Sequence, residues 1–316
     1  MQELLGLTRE LIRFRSVHTD PAEIIRCADF VQAFLSAHGI GFRRFDVAGV
    51  PSILVMPQGD YAPVLLMAHI DVVDGPEGIF EPREKDGRLY GRGSVDDKYA
   101  VALVLVLLRR QLARLRAAGR AQSDLSFGVL ITGDEEIGGA NGAGHVLAKI
   151  KTDFGIALDG GGLDKIVVKE KGLLRLRLVA RGRAAHGSRP WLGENAIENL
   201  MADYARLKPF FQVSAPEHWH RTLNLGVISG GRAVNQVPDR AEALLDIRFT
   251  EEDDVDRLLA EMAAAVRGEL VVERRDPLFW GGQSPYLETL LALSPGTRIG
   301  AEHGASDARY LSARGI

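Results

Sequence analysis

A histidine and a carboxylate stand two residues apart at His69 and Asp71, just after the apolar run Ala62–Met67. More acids follow at Asp96, at Glu135 and Glu136, and at Asp159. Imidazole and carboxylate are ligands that divalent cations such as zinc accept, and a carboxylate is also a general base. A carboxylate beside an imidazole holds its second nitrogen and fixes the tautomer, the usual support of a metal-ligating histidine. Alternation along an extended chain puts positions 69 and 71 on one side. Alone, His-x-Asp is an ordinary surface loop, and three successive acids are an ordinary charged turn. Acids directly after an apolar strand are costly, however, unless water or a cation neutralises them.

These residues need a scaffold that delivers separate stretches to one place. Ala62–Met67, Leu125–Ile131 and Phe154–Leu158 are short apolar runs that read as buried strands of an α/β sheet. His69, Glu135–Glu136 and Asp159 each follow one of them, at the edge where open α/β sheets bind ligands. Asp96 precedes an apolar helix expected over Ala100–Leu115, whose positive end favours acids. Other helices are expected over Glu3–Phe14, from Pro21 to His38, and over Ala143–Lys149, with strands at Gly41–Phe45 and Ser52–Met56.

From Lys171 the pattern changes. Leu173–Val179 alternates Leu with Arg, as a half-exposed antiparallel strand does. A helix over Ala196–Phe211, strands at Thr222–Ile228, Ala241–Phe249 and Leu270–Glu273, and a helix over Asp254–Arg267 complete an α+β unit. The fold class expected is α/β: a first domain of residues 1–170 and 281–316 carrying the acids, with a smaller α+β domain, 171–280, inserted into it. A helix at Tyr286–Leu293 and a loop at Gly304–Asp307 return the chain to the first domain. Trp191, Trp219 and Trp280 read as packing residues.

With 46% hydrophobic and 26% charged residues in 316, the chain has the composition of a protein with a sizeable core. A net charge of -3 gives no basic footprint for nucleic acid and no pull towards an anionic membrane. Cys27, the only cysteine, excludes an internal disulfide and a cysteine-based zinc site. The first ten residues read as a charged amphipathic helix rather than a signal peptide, so a cytoplasmic setting is expected.

His69-x-Asp71, Gly91-Arg-Gly-Ser-Val-Asp96-Asp97-Lys98, Asp134-Glu135-Glu136-x-Gly138 and Asp159 closely resemble, in order, the M20 metallopeptidases. Ala185-His186-Gly-Ser188 and Asn235-Gln-Val-Pro238 extend the resemblance into the inserted domain. It implies a zinc-peptidase-like catalytic domain with a mixed sheet and a lid or dimerisation domain. His69 and Asp159 are implied as ligands of one zinc, Asp96 as a bridge to a second, Glu136 as a ligand of that second ion, and a cis bond between Asp96 and Asp97. Glu135 is implied as the general base and Asp71 as the residue that orients His69. His186 is implied to reach the active site of the partner subunit in a homodimer and stabilise the oxyanion there. Asn235 and Arg248 resemble residues that hold the substrate carboxylate, and Gly304 and Ser306 lie in a loop resembling one that lines the same pocket. Read without the resemblance, His186 is a histidine in a small-residue turn, and Arg248 on a strand is equally an ion-pair residue.

The function implied is hydrolysis of a small amide, a dipeptide or an N-acyl amino acid, by zinc-activated water, with cobalt or manganese as alternative metals. Aspartate at 159 leans towards dipeptidases and aminopeptidases, since deacylases and carboxypeptidases tend to have glutamate there. The alternatives are an N-acyl-amino-acid deacylase and a non-catalytic metal-binding homologue. Family members continue past the position of Ile316 to a last histidine that completes the second zinc site. None of His18, His38, His69, His145, His186, His218, His220 and His303 sits at that place. The expectation is therefore a longer natural chain, with a weak second site in these 316 residues.

Overall fold

Residues 53–56, 65–68 and 129–131 are apolar at every position, as strands must be when both faces of their sheet are covered. In the computed structural model, which describes residues 1–160, 162 and 164–316, they fall in one mixed five-stranded sheet. Its strands are β1 (Arg43–Val47), β2 (Val50–Val55), β3 (Tyr61–His69), β4 (Phe127–Thr132) and β5 (Lys151–Ala157), in the order β1-β2-β4-β3-β5. β3 runs parallel to β4 and β5, while β2 is antiparallel to β1 and β4.

Alternate residues of these strands serve two cores. Ile53, Val55, Ala68, Val129 and Ile131 pack with α1 (Gln2–Ile12), α2 (Pro21–Ala37) and α3 (Lys98–Ala117). Leu54, Met56, Leu65, Met67 and Leu130 pack with α4 (Ala143–Leu147) and with Leu311. α2 starts as its sequence requires: Asp20 accepts the Glu23 amide and Pro21 fills the first turn.

The chain divides into two units. One is Met1–Val168 with Gly281–Gly300 and Ser306–Ile316; the other is Lys169–Trp280 with Ala301–Ala305. In the second unit β6 (Gly172–Arg181), β7 (Thr222–Gly230), β8 (Arg240–Phe249) and β9 (Glu269–Asp276) form an antiparallel sheet ordered β7-β8-β6-β9. Leu174, Leu176 and Leu178 bury one face of β6 against α5 (Ala196–Leu207) and α6 (Val255–Ala265), and the intervening Arg175 and Arg177 lie on the other face. α5 is shorter than its periodicity predicts, because Pro209 lacks an amide and the chain tightens into a 3-10 turn over Lys208–Phe211. Trp191 is no packing residue: it is 73% exposed.

Back in the first unit, Ser284 caps α7 (Pro285–Leu293), and Tyr286 stacks on Phe154 of β5 at 5.4 Å. α8 (Arg309–Ser312) ends the elements of the chain. No helix among the described residues is long and apolar enough to cross a membrane.

Candidate metal centre and active site

The register of the parallel strands sets the site. His69 pairs with Thr132 and Met67 with Ala157, so β3, β4 and β5 end level with one another. Beyond those ends lie His69 itself, the acids 134–136, and Asp159. Asp97 joins them from the start of α3: its buried carboxylate accepts the His69 amide at 3.1 Å. The peptide bond between Asp96 and Asp97 is cis, as the resemblance implies.

His69 is buried at 1% exposure. Its Nδ1 lies 3.0 Å from the Asp71 carbonyl, which only accepts, so Nδ1 carries the proton and Nε2 of the neutral ring keeps its lone pair. Nε2 is 3.0 Å from Asp96 Oδ1 and 3.9 Å from Asp159 Oδ2. It has no partner in hydrogen-bonding geometry. Ligand atoms of His69, Asp96 and Asp159 all lie within 4.8 Å of one another. Glu136 stands outside that group, with Oε1 accepting the Val73 amide at 3.1 Å.

Asp71 contacts more than His69. Its carboxylate stands 3.4 Å from Nδ1 but accepts the amides of Glu135 at 3.1 Å and Glu136 at 2.9 Å. Asp134 accepts the amides of Asn141 and Gly142 and so closes the loop after the glutamates.

Burial and mutual repulsion dominate the electrostatics. Burial pushes Glu135 up to about 9, with the Asp307 charge adding to it, and pushes Glu136 up to about 7 with help from Asp96. Burial likewise raises Asp97, Asp134 and Asp159. Burial opposes a charged His69 ring, but the nearby carboxylates outweigh it and hold its pKa well above the ordinary value. A buried ring nitrogen that a cation can take over from its proton, amid carboxylates that repel one another, fits a divalent cation.

Sequence reasoning does not single out Thr132, Asp307 or Arg309. Thr132 donates to Asp307 Oδ2 at 3.1 Å, and Arg309 Nη2 is 3.8 Å from both Glu135 Oε1 and Asp307 Oδ1. The signals available were the place of Asp307 at the end of the Gly304–Asp307 loop, with Arg309 just past it, and that of Thr132 at the end of β4. Ser306 is buried, and its hydroxyl accepts the Ala308 amide.

His186, Asn235, Arg248 and Gly304 belong to the second unit. His186 is exposed, pairs with Gln236 in a two-residue ribbon, and places Nδ1 2.8 Å from the Ser188 hydroxyl. The carbonyl of Asn235 accepts the Gly187 amide at 2.6 Å, so His186 and Asn235 are neighbours. Arg248 is paired with Asp246 at 2.8 Å.

Residues 168–273 match the M20 peptidase dimerisation domain. A "probable carboxypeptidase" of Uncinocarpus reesii is 27% identical over 94% of this chain and 74% of its own length. The structure of an M20 family metallo-carboxypeptidase from Sulfolobus solfataricus superposes with a TM-score of 0.77 at 20% identity, over 100% of this chain and 90% of the other. Together these matches support an M20 family metallopeptidase. A tripeptidase from Staphylococcus aureus shares the fold at a TM-score of 0.80 and 22% identity, over 100% of this chain and 88% of its own. Against carboxypeptidases from Paracoccidioides, 30% identical, the chain spans 48% of their length.

Proposed function

We propose that this chain is a metal-dependent hydrolase of the amide bond in small peptides. The observation that carries this reading is the buried His69 Nε2, without a hydrogen-bond partner, beside Asp96, Asp159 and an equally unpartnered Glu135 Oε1. His69, Asp96 and Asp159 would hold one cation, with zinc the first choice, and Asp96 with Glu136 would contribute to a second. Bound there, the metal supplies Lewis acidity towards the scissile carbonyl and makes water a stronger acid.

The rest of the chemistry falls to the protein. Glu135 takes the proton of the attacking water and returns it to the leaving amine. Asp71 keeps the Glu135–Glu136 turn in place through its two amides. His186, exposed on a unit matching a dimerisation domain, donates to the developing oxyanion in a partner subunit. Asn235 beside it, with Arg248, Gly304 and Ser306, serves the substrate carboxylate. The printed names of the relatives, carboxypeptidase and tripeptidase, support a peptide with a free terminus.

The test is a panel of dipeptides, N-blocked dipeptides with a free carboxylate, and N-acetyl and N-succinyl amino acids, assayed beside metal content. The expected result is highest kcat/KM on a peptide, with Glu135→Gln abolishing turnover while metal is retained. Highest kcat/KM on an N-acyl amino acid would make the chain a deacylase. Unchanged turnover in Glu135→Gln would remove Glu135 from the chemistry. A metal-loaded chain inert towards the whole panel would favour a non-catalytic homologue.

A further inference from the structure

We propose that Arg309 is a positioning residue for Glu135, held in turn by Asp307 and Thr132. The inference rests on reading Glu135 as the base. Arg309 is 3% exposed, and its guanidinium stays protonated in any protein environment. Arg44 and Arg221 commit N–H groups to carboxylates at short range, while Arg92 and Arg109 each leave a single buried Nε without a partner. Arg44 Nε is 3.1 Å from both Asp46 oxygens, and Arg221 Nη1 is 2.8 Å from Asp253.

Arg309 does neither. Its Nη2 stands off at 3.8 Å from Glu135 Oε1 and from Asp307 Oδ1. Arg309 Nε and Nη2, Glu135 Oε1 and Asp307 Oδ1 are all buried without a hydrogen-bond partner. A purely structural buried arginine would leave no such set of unmade bonds, because each is expensive. Thr132 Oγ1 fixes Asp307 from behind at 3.1 Å, and the Tyr310 ring lies 5.3 Å from the guanidinium. The cation thus stands between Glu135 and an Asp307 that Thr132 fixes, 3.8 Å from each and without a short hydrogen bond to either. That arrangement holds the carboxylate near one orientation and leaves Oε1 available to a water.

The experiment compares Arg309→Ala and Arg309→Lys with the wild type, measuring kcat, KM, metal per chain and thermal midpoint. Arg309→Ala should lower kcat about 100-fold, the scale of a misplaced reacting group, with KM changed less than about threefold and metal content unchanged. Arg309→Lys, which keeps the charge, should recover about tenfold of that loss, and millimolar guanidinium should partly restore Arg309→Ala but not Glu135→Gln. Should Arg309→Ala not fold, Arg309→Lys carries the test: its kcat should fall about tenfold at unchanged KM, and a wild-type kcat would overturn the proposal. A folded Arg309→Ala with wild-type kcat would overturn it, as would losses in both variants that track lost metal or fold. Wild-type protein that binds metal and turns over nothing would overturn the functional reading, and this inference with it.

Discussion

Asp71 Oδ2 accepts the backbone amide of Glu136 at 2.9 Å, across the gap between the ends of β3 and β4. The other oxygen accepts the Glu135 amide, and the Asp71 carbonyl takes the His69 ring nitrogen. One fully buried residue therefore sets the imidazole and both glutamates together. Asp71→Ala strands two amides, at about 1–3 kcal/mol each, and loosens the turn that carries Glu135, the proposed base. Metal affinity should fall about 10- to 100-fold, the usual effect of losing such a support, and kcat with it. Asp71→Asn keeps one acceptor oxygen and should fall between. Metal titration and kcat of the purified variants check this, and a folded Asp71→Ala with wild-type values in both would refute it.

The acids make the metal-free protein sensitive to pH. Burial places Glu136 at about 7 and Glu135 at about 9 in the folded chain, both above their ordinary values. A carboxyl group whose folded pKa is raised binds its proton more tightly when folded. Its contribution to stability is therefore full below the unfolded value and is lost as pH rises through the folded one. His69, also raised, acts in the same direction. The thermal midpoint of chelated protein should fall between about pH 5 and pH 8, and added zinc should offset more of that fall as protons leave. A midpoint that rises over this range without metal would contradict the assignment.

Much of this was legible in the sequence, and the exceptions have physical causes. Strands covered on both faces leave continuous apolar runs, so β3, β4 and β5, and the His69, Asp96 and Asp159 that follow them or the neighbouring turn, stand out. The Leu–Arg alternation of β6 is equally plain. The Gly304–Asp307 loop was legible only as a resemblance, and the burial of Asp307 and Arg309 was not, because short-range sequence shows only Ser-Asp-Ala-Arg, a string that suits a solvated turn. Their burial comes from β4 and the loop after it, more than 150 residues earlier, which no periodicity reports. Asp71 was read as a support for His69 because the two are close in sequence. Its carboxylate, 3.4 Å from the ring, also serves two amides that only the sheet brings near. Trp191 shows the converse, an aromatic residue that the fold leaves in water.

The second unit has its own buried carboxylate. Asp203 of α5, 1% exposed, accepts the amides of Arg267 at 3.0 Å and Gly268 at 2.8 Å and pairs with Arg206. Asp203→Ala should destabilise that unit by about 2–4 kcal/mol through the two unpaired amides. The chain carries its own reporters: all three tryptophans lie in 169–280, while the sole cysteine, Cys27, is fully buried in the first unit. Urea unfolding followed by tryptophan fluorescence should shift to lower midpoint in the variant. If the units unfold separately, thiol labelling of Cys27, whose pKa burial pushes up to about 11, should shift less. A fluorescence midpoint unmoved by Asp203→Ala would show the carboxylate to be dispensable.

Gly139 tests how closely the last segment is keyed to the acidic turn. It sits at φ +65°, and a Cβ there would fall 2.0 Å from Asp307 Oδ1 and 3.2 Å from the Tyr310 ring. The loop is held from both sides, since the Gly139 amide donates to the Asp134 carbonyl at 2.7 Å and Tyr310 donates its hydroxyl to the Gly138 carbonyl. Alanine must therefore displace Asp307, which Thr132 fixes, or move the turn bearing Glu135 and Glu136. Left-handed backbone at a non-glycine residue costs about 1–2 kcal/mol, and the overlap adds about 1–3 kcal/mol more. Gly139→Ala should lower the midpoint of the first unit and cut kcat at least tenfold, whereas Gly119→Ala, also at positive φ but with open space around its Cβ, should cost stability alone. Equal effects of the two substitutions on kcat would mean that the 306–312 segment does not set the geometry of Glu135.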